Sequence, residues 1–451
     1  MSYVFNLINT FYGLYIHKLH KQQLDSHTSK VFKIHPSKDI LGAKSRILEG
    51  KKVALGICGS VAASRAPELA RDLMRNGAEV IAVMTEAACR LISPELMEWA
   101  TGNPAVISLT GKIEHVQLGN GGEGSADVVL IAPATANTVG KIAHGIDDTP
   151  VTSLATTAIG AGLPVVVAPA MHETMFRHPA VSENLERLRS MGVRVVMPDL
   201  REGKAKLPEN GVIVEAVVSA LTKKSLAGVG VLVTAGPTRS HLDAVRYLTN
   251  SSSGRMGVEI AKEAAARGAS VTLVAGSMSV PWLGEGIEVV SAPTTEEMLS
   301  SVVSRVSGGG ADLLVLAAAP VDFSFSVRGG KASKFSSDSQ VEARLEPLPK
   351  ISREARKASP SLFIIGFKAE HGVSEEELIS RAKGRLLDSG MDLIAANDLA
   401  REGSGFRVET NEVYLIDKGG LMGHFTTSPK REIARKILDA YEERRASIAG
   451  R

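Results

Sequence analysis

Cysteine is nearly absent: Cys58 and Cys89 are the only two in 451 residues. Two thiols cannot build a disulfide framework or a cysteine-ligated zinc site, so a reducing cytoplasm is the expected setting. Aromatics are scarce at 4%, as in α/β enzymes rich in Val, Ala and Gly. No uninterrupted apolar run approaches the ~20 residues of a membrane span, so no membrane partner is expected. The net charge of +3 is small, with acids and bases interspersed. That argues against a nucleic-acid partner held by phosphate neutralisation. Two nucleotide signatures are missing as well. Neither half opens on a complete Gly-x-Gly-x-x-Gly strand-to-helix turn, and no loop ends in the Gly-Lys-Ser/Thr of a P-loop. The acidic ribose-binding residue of a dinucleotide site is also absent from "SVTLVAGS", residues 270–277.

What is present is a repeated grammar. "KKVALGI" is a short apolar run bounded by glycine and reads as a buried parallel strand. A small-residue turn, a helix-spaced segment ending in Asn-Gly and the strand "EVIAVMT" complete a β-α-β unit. At residue 229 the pattern starts again, with "VGVLVTAG", the helix "VEIAKEAAARGA" and the strand "SVTLVAG". Alternating strands and helices predict an α/β fold: two doubly wound parallel-sheet domains in tandem, flavodoxin-like or Rossmann-like. The expected bounds are 47–222 and 229–446, joined by "TKKSLAG", residues 222–228. Residues 1–46 read as an extension. Its first 30 residues are rich in aromatics and poor in acid, and fit an unstructured arm or sequence upstream of the true start.

In the first half, "GICGSVAAS" sets Gly59 and Ser60 at a strand-to-helix turn, where backbone N–H groups and a hydroxyl attract phosphate. Close packing of turn on helix would call for the same small residues. Thr85 ends the second strand, in position for another phosphate contact. "ADVVLIAPATANT" is a strand expected to run into a polar loop, with Asn137 just past its end. "LPVVVAPAMHETMF" repeats the arrangement with Met171, His172 and Met175.

Together, "PATANT", "PAMHETMF" and "EHVQLG" resemble the homo-oligomeric flavin-containing cysteine decarboxylases, in particular phosphopantothenoylcysteine decarboxylase, across residues 48–220. The resemblance implies FMN held by Gly59, Ser60, Thr85, Pro133 and Thr135. It implies His115 as the acid/base around thiol oxidation, a role suited to the ordinary imidazole pKa, and Asn137 as holder of the substrate carboxylate. Met171, His172 and Lys204 are the further substrate contacts. This sequence departs from the family twice. His172 stands where the family has Asn, and the flap "DLREGKAKLPENG" lacks the family's Cys. Lys204, Lys206 or His172 is the expected replacement proton donor. The alternative is a half that only oxidises.

The second half contains "VTAGPTRSHLDAVRYLTNSSSGRMG" and continues through "VLAAAPVDFSF", "KASKF", "FIIGFKAE", "DLIAAND" and "NEVYLI". These motifs resemble phosphopantothenate–cysteine ligase. The resemblance implies an acyl-nucleotide route from 4'-phosphopantothenate, cysteine and CTP, with ATP as the alternative nucleotide and Mg²⁺ accompanying it. Asn250 would steady the acyl-nucleotide, Arg246 would bind the pantothenate portion, and Lys331 would face the phosphates with Lys334 beside it. Ser252, Ser253, Gly254, Asp322 and Phe367 complete the nucleotide set. Asn397 ends another strand, and no carboxylate cluster declares the metal's ligands. The combined expectation is a bifunctional enzyme of coenzyme A biosynthesis, homo-oligomeric through trimeric contacts in its flavin half and dimeric contacts in its ligase half. The competing readings are a two-domain NAD-dependent oxidoreductase and a ligase fused to a flavoprotein half impaired in decarboxylation.

Overall fold

The computed structural model describes residues 35–278, 286–327, 334–336, 340 and 342–449. In the first half, five parallel strands lie in the order Glu79–Met84, Lys52–Ile57, Val128–Ala134, Val165–Pro169 and Arg194–Val195. All seven residues of the central strand Val128–Ala134 are buried, as a strand covered on both faces requires. One face is covered by the helices Ala66–Arg75 and Asn210–Leu221, through Leu69, Leu73, Ile213 and Val217. The other is covered by Ala136–Ala143, Pro150–Gly160 and Pro179–Ser190, through Val139, Ile142, Leu154 and Leu185. Residues 36–50 belong to this unit: Leu48 is in the same core as Leu69, and the Ser37 hydroxyl donates to the Trp99 carbonyl.

The second half has an eight-stranded sheet in the order Ile287–Ser291, Ser270–Ala275, Gly230–Ala235, Leu313–Leu316, Phe363–Glu370, Leu393–Asp398, Thr410–Asp417 and Gly420–Pro429. The first six strands are parallel in the dinucleotide-fold order 3-2-1-4-5-6. The last two run antiparallel, so the sheet is mixed rather than wholly parallel. The cause is local. "DKGG" turns the chain back at once, the Asp417 carboxylate accepting the N–H groups of Gly419 at 2.7 Å and Gly420 at 3.0 Å. A turn this short allows a hairpin and no crossover.

Two ribbons stand outside the sheet, Arg239–His241 with Tyr247–Thr249 and Phe323–Val327 with Ala343–Pro347. Val245, Tyr247, Leu248, Phe323 and Leu345 on these arms are exposed. The strand before "NSSSG" is therefore a ribbon strand and not one of the sheet. Among the described residues, no helix is long and apolar enough to cross a membrane.

Charge runs through the seam between the halves. Glu263 is 1% exposed and lies on the helix Arg255–Ala266, against the closing helix of the first half. Its carboxylate meets Arg267 at 2.9 Å and Arg431 at 3.0 Å, and Arg431 reaches across to Glu215 of the first half at 2.8 Å. Burial works against the Arg267 charge, but Glu442 and Glu263 outweigh it and push its pKa up. Lys224, in the linker, ties the carbonyls of Ser219 and Ala266, each at 2.7 Å. Neutralising Glu263 leaves two buried guanidinium groups short of a counter-charge. Glu263→Gln is expected to cost about 3 kcal/mol, read as a lower denaturant midpoint for the second-half transition; an unchanged midpoint would show the seam to be dispensable.

Candidate active sites

Crossover connections put helix starts at the carboxyl edge of each sheet, and both pockets form there. In the first half three helix starts converge, each capped by the residue that ends its strand or turn. Ser60 accepts the Ala62 N–H at 3.3 Å, Thr85 the Ala88 N–H at 3.2 Å and Thr135 the Thr138 N–H at 3.3 Å. They open on one cavity of about 510 Å³, which Gly59, Asn137, Met171 and Met175 also line. A Cβ at Gly59 would lie 2.5 Å from that of Ala87, so the glycine lets two turns approach closely. Pro133 is buried in its strand, with its carbonyl accepting the Cys58 N–H at 3.2 Å, and is not part of the cavity wall. Asn137 is exposed and sits in the first turn of a helix rather than in the expected loop, because the Thr135 cap starts that helix at once. Lys141, paired with Asp148 at 2.6 Å, and Arg90, paired with Glu86 at 3.3 Å, also line the wall and were not foreseen from the sequence.

His115 is on the short helix Glu114–Gly119 and does not line this cavity. Its Nδ1 is buried with no hydrogen-bond partner among the described residues. The flap is a three-stranded sheet in which His172 pairs across from Lys204. His172 Nδ1 is 3.0 Å from the Thr174 hydroxyl, and the Lys206 amine is held by Glu202 at 2.7 Å. Lys204 is exposed. The two cysteines offer no substitute thiolate. Burial pushes the Cys58 thiol up to about 11, and burial also raises that of Cys89.

The second pocket, about 640 Å³, lies between the Asn250–Met256 loop, the end of the strand Leu313–Leu316 and the loop at Gly405–Phe406. Asn250 Nδ2 donates to the carbonyls of Ala319 at 3.1 Å and Pro320 at 3.0 Å, which leaves its carbonyl oxygen to face the pocket as an acceptor. Gly254 caps the helix Arg255–Ala266 at φ +75°, and a Cβ there would lie 2.1 Å from the Met278 sulfur. The position therefore needs glycine for both conformation and space. The serines are unequal. The Ser253 hydroxyl already donates to the Phe406 carbonyl, whereas the Ser252 oxygen accepts the Gly254 N–H at 3.3 Å and keeps its own proton to give.

Asp322, Phe367 and Asn397 line the same pocket. Asp322 is paired with Lys350 at 2.5 Å, and Asn397 meets Asn411 at 3.4 Å. Arg246 is on a ribbon and off the pocket wall, where Asp243 holds it at 3.2 Å and Phe335 accepts from its guanidinium. Lys334 is exposed and also off the wall. Lys331 lies outside the described residues. Lys350, Arg255, Arg385 and Lys430 were missed from the sequence; only the Pro-Lys-Arg start of the last helix offered a signal for any of them. Among the described residues no group of three or more His, Cys, Asp or Glu forms a cation site.

Two family models divide the chain between them. The flavoprotein model matches residues 41–222, and the model of the DNA/pantothenate metabolism flavoprotein C-terminal domain matches residues 226–444. The coenzyme A biosynthesis bifunctional protein CoaBC of Thermococcus kodakarensis is 48% identical over 410 residues, which is 91% of this chain and 99% of that protein. The chain belongs to the CoaBC family of coenzyme A biosynthesis bifunctional proteins. The CoaBC of Methanocaldococcus jannaschii is 34% identical over 90% of this chain and 97% of its own. A crystal structure of the C-terminal domain of a CoaBC aligns with 50% of this chain and all of that one, at 27% identity and a TM-score of 0.41. As a CoaBC-family member the chain is an enzyme with a decarboxylase half and a ligase half.

Asp243 gives the ligase arms a pH dependence. It accepts N–H groups from Arg246, Val245 and Phe335, and with Arg246 beside it these hold its carboxyl below the usual range. Its folded pKa is depressed, so its contribution is full above about pH 4, the unfolded value, and is lost as pH falls through the folded one. Asp243→Asn should lower ligase stability at neutrality and flatten its acid limb, variant and wild type converging as the carboxyl protonates; an unaltered acid limb in denaturant titrations would count against this role.

Proposed function

We propose that the Asn250–Gly254 loop is the cradle for an acyl-nucleotide, and that the two pockets carry out successive steps on one pantothenoyl substrate. In the ligase half, a carboxylate oxygen of 4'-phosphopantothenate attacks the α-phosphorus of CTP and pyrophosphate leaves. The cysteine amine then attacks the acyl carbon and CMP leaves. Mg²⁺ arrives with the triphosphate, and catalysis is positioning and charge neutralisation. The observation that carries this reading is Asn250, fixed by two carbonyls at a helix start with Ser252, Asp322–Lys350 and Phe367 around the same pocket. Its free carbonyl oxygen and the helix-start N–H groups suit a neutral acyl group beside a phosphoryl group. Lys331 and Lys334 are assigned to the phosphates and Arg246 to the pantothenate portion by motif.

In the flavin half, the donor set fits FMN: three helix starts for a phosphate, the hydroxyls of Ser60 and several threonines, and the small or apolar Gly59, Ala87, Ala170, Met171 and Met175. FMN supplies a hydride acceptor for the cysteine moiety. Asn137 holds the carboxylate that is to be lost, and His115 moves the thiol proton. His115 stands off its own cavity while Val61, Ile113, Ile146 and Met175 are exposed. A second copy whose His115 reaches this cavity would complete the site, and the exposed ribbon arms fit a separate contact between ligase halves. For the flap, His172 and Lys204 are the proton donors, since Glu202 occupies Lys206. The reactions belong in the cytoplasm.

Supplying phosphopantothenate, cysteine and either CTP or ATP, with products read by mass, tests the whole reading. Phosphopantetheine formed faster with CTP is expected; product with neither nucleotide would refute the ligase assignment. Asn250→Asp should stall turnover with acyl-nucleotide accumulating, and an unchanged rate of amide formation would remove Asn250 from that role. His172→Ala and Lys204→Ala should each slow phosphopantetheine release with enethiol product appearing; absence of enethiol in both would exclude the flap as proton source.

A further inference from the structure

The last helix begins with a lysine that has no ordinary place for its charge. Lys430 is 5% exposed, and its amine donates to the carbonyls of Gly405 at 2.8 Å and of Val408. Its backbone N–H donates to Glu409 at 3.0 Å. Three of five consecutive carbonyls in one loop are thus held by a single residue. Burying an ammonium against neutral carbonyls at the start of a helix is unfavourable on two counts, desolvation and the helix dipole. Burial and the nearby Arg255 push its pKa down to about 8, against the pull of Glu409.

The loop that Lys430 holds is the far wall of the ligase pocket. Between its two clamped carbonyls, Phe406 presents the carbonyl that accepts the Ser253 hydroxyl, and Arg407 presents one to Arg255 at 3.1 Å. Arg255 also pairs with Glu409 at 2.5 Å. Gly403 and Gly405 stand at φ +74° and +151°, so the segment's own backbone does little to restrict it. Thr410 and Asn411 tie the loop at Gly403 and Ser404, and Arg255 ties it at Arg407 and Glu409, but among the described residues only Lys430 holds the carbonyls of Gly405 and Val408 on either side of Phe406 and Arg407.

The geometry points to Lys430 as a positioning residue of the ligase reaction: it fixes the Gly405–Val408 loop so that Phe406 holds Ser253 and keeps the cradle open to a triphosphate. Lys430 borders the pocket, but its amine is committed to the loop carbonyls, so it acts through another side chain. This rests on the cradle being the nucleotide site. The engagement of Ser253 also explains why the loop needs more than one serine. One is spent on the loop wall, which leaves Ser252 to face the ligand.

The test uses the full chain, with CTP varied at saturating phosphopantothenate and cysteine and pyrophosphate release as the readout. Lys430→Met should raise the KM for CTP about tenfold, the scale of a lost charge-assisted hydrogen bond, with kcat and the KM for cysteine nearly unchanged. In a Ser253→Ala background the same substitution should change the KM by less than about twofold, because the link it supports is already cut. Lys430→Arg, which keeps the charge and can span two carbonyls, should recover most of the lost affinity. Decarboxylation of supplied phosphopantothenoylcysteine by the same variants reports that the chain is folded. A fall in kcat at constant KM would mean a merely structural residue, and effects of Lys430→Met and Ser253→Ala that multiply would cut the proposed link; either overturns the inference. If the methionine variant does not accumulate, the arginine variant takes its place, with a KM rise of about threefold expected that disappears in Ser253→Ala. Wild-type chain that releases no pyrophosphate with any nucleotide would instead refute the cradle reading itself.

Discussion

A parallel sheet cannot be closed by tight turns, so each strand must be succeeded by a crossover, usually a helix, that returns the chain to the opposite edge. Every helix start is thereby delivered to the same edge of the sheet. Both pockets of this chain arise from that constraint. In the flavin half, Ser60, Thr85 and Thr135 each end a strand or its turn and cap the next helical segment. In the ligase half, Gly254 and the Asn250 loop occupy the equivalent place above the strand Gly230–Ala235. The two edges differ because the caps differ: hydroxyl caps around one cavity, a left-handed glycine below an amide and a serine run at the other.

The ligase half modifies the scheme at one point, and that point makes its site. After Gly230–Ala235 the chain does not enter its helix but runs out through a ribbon and back. The excursion lets Asn250 arrive at the pocket from outside the sheet, where its amide reaches the carbonyls of Ala319 and Pro320. A dinucleotide turn keeps the chain close to its helix, which this loop does not. The missing glycine pattern and the ribbon are two views of the same difference.

Most of the fold was legible because buried parallel strands leave continuous apolar runs such as "VVLIA" and "LLVL", and glycines mark where they end. The antiparallel edge was not, since its hairpin depends on one carboxylate, Asp417, accepting two successive N–H groups. Asn137 was placed correctly in space and wrongly in local structure, because a threonine cap and a polar loop look alike on paper. The site residues read from motifs were those near strand ends. Lys350, Arg255 and Lys430 escaped because their roles are long-range: an ion pair to Asp322 across 28 residues, and clamps on a loop more than 20 residues away or in another part of the sheet. Nor could sequence tell Ser252 from Ser253, which differ only in where one proton goes.

Lys430 and Arg431 are neighbours on the first turn of one helix, yet one reaches into the ligase pocket and the other into the seam with the flavin half. Successive residues on a helix are turned by about 100°, so these two destinations are set by a single rotational register. A one-residue insertion or deletion just ahead of Pro429 would send both side chains to the wrong places together. The join between the two enzymes and the wall of one active site therefore cannot be re-spaced independently. Any recombination that exchanges one half for a relative's must preserve the phase of this helix, however freely the linker itself varies.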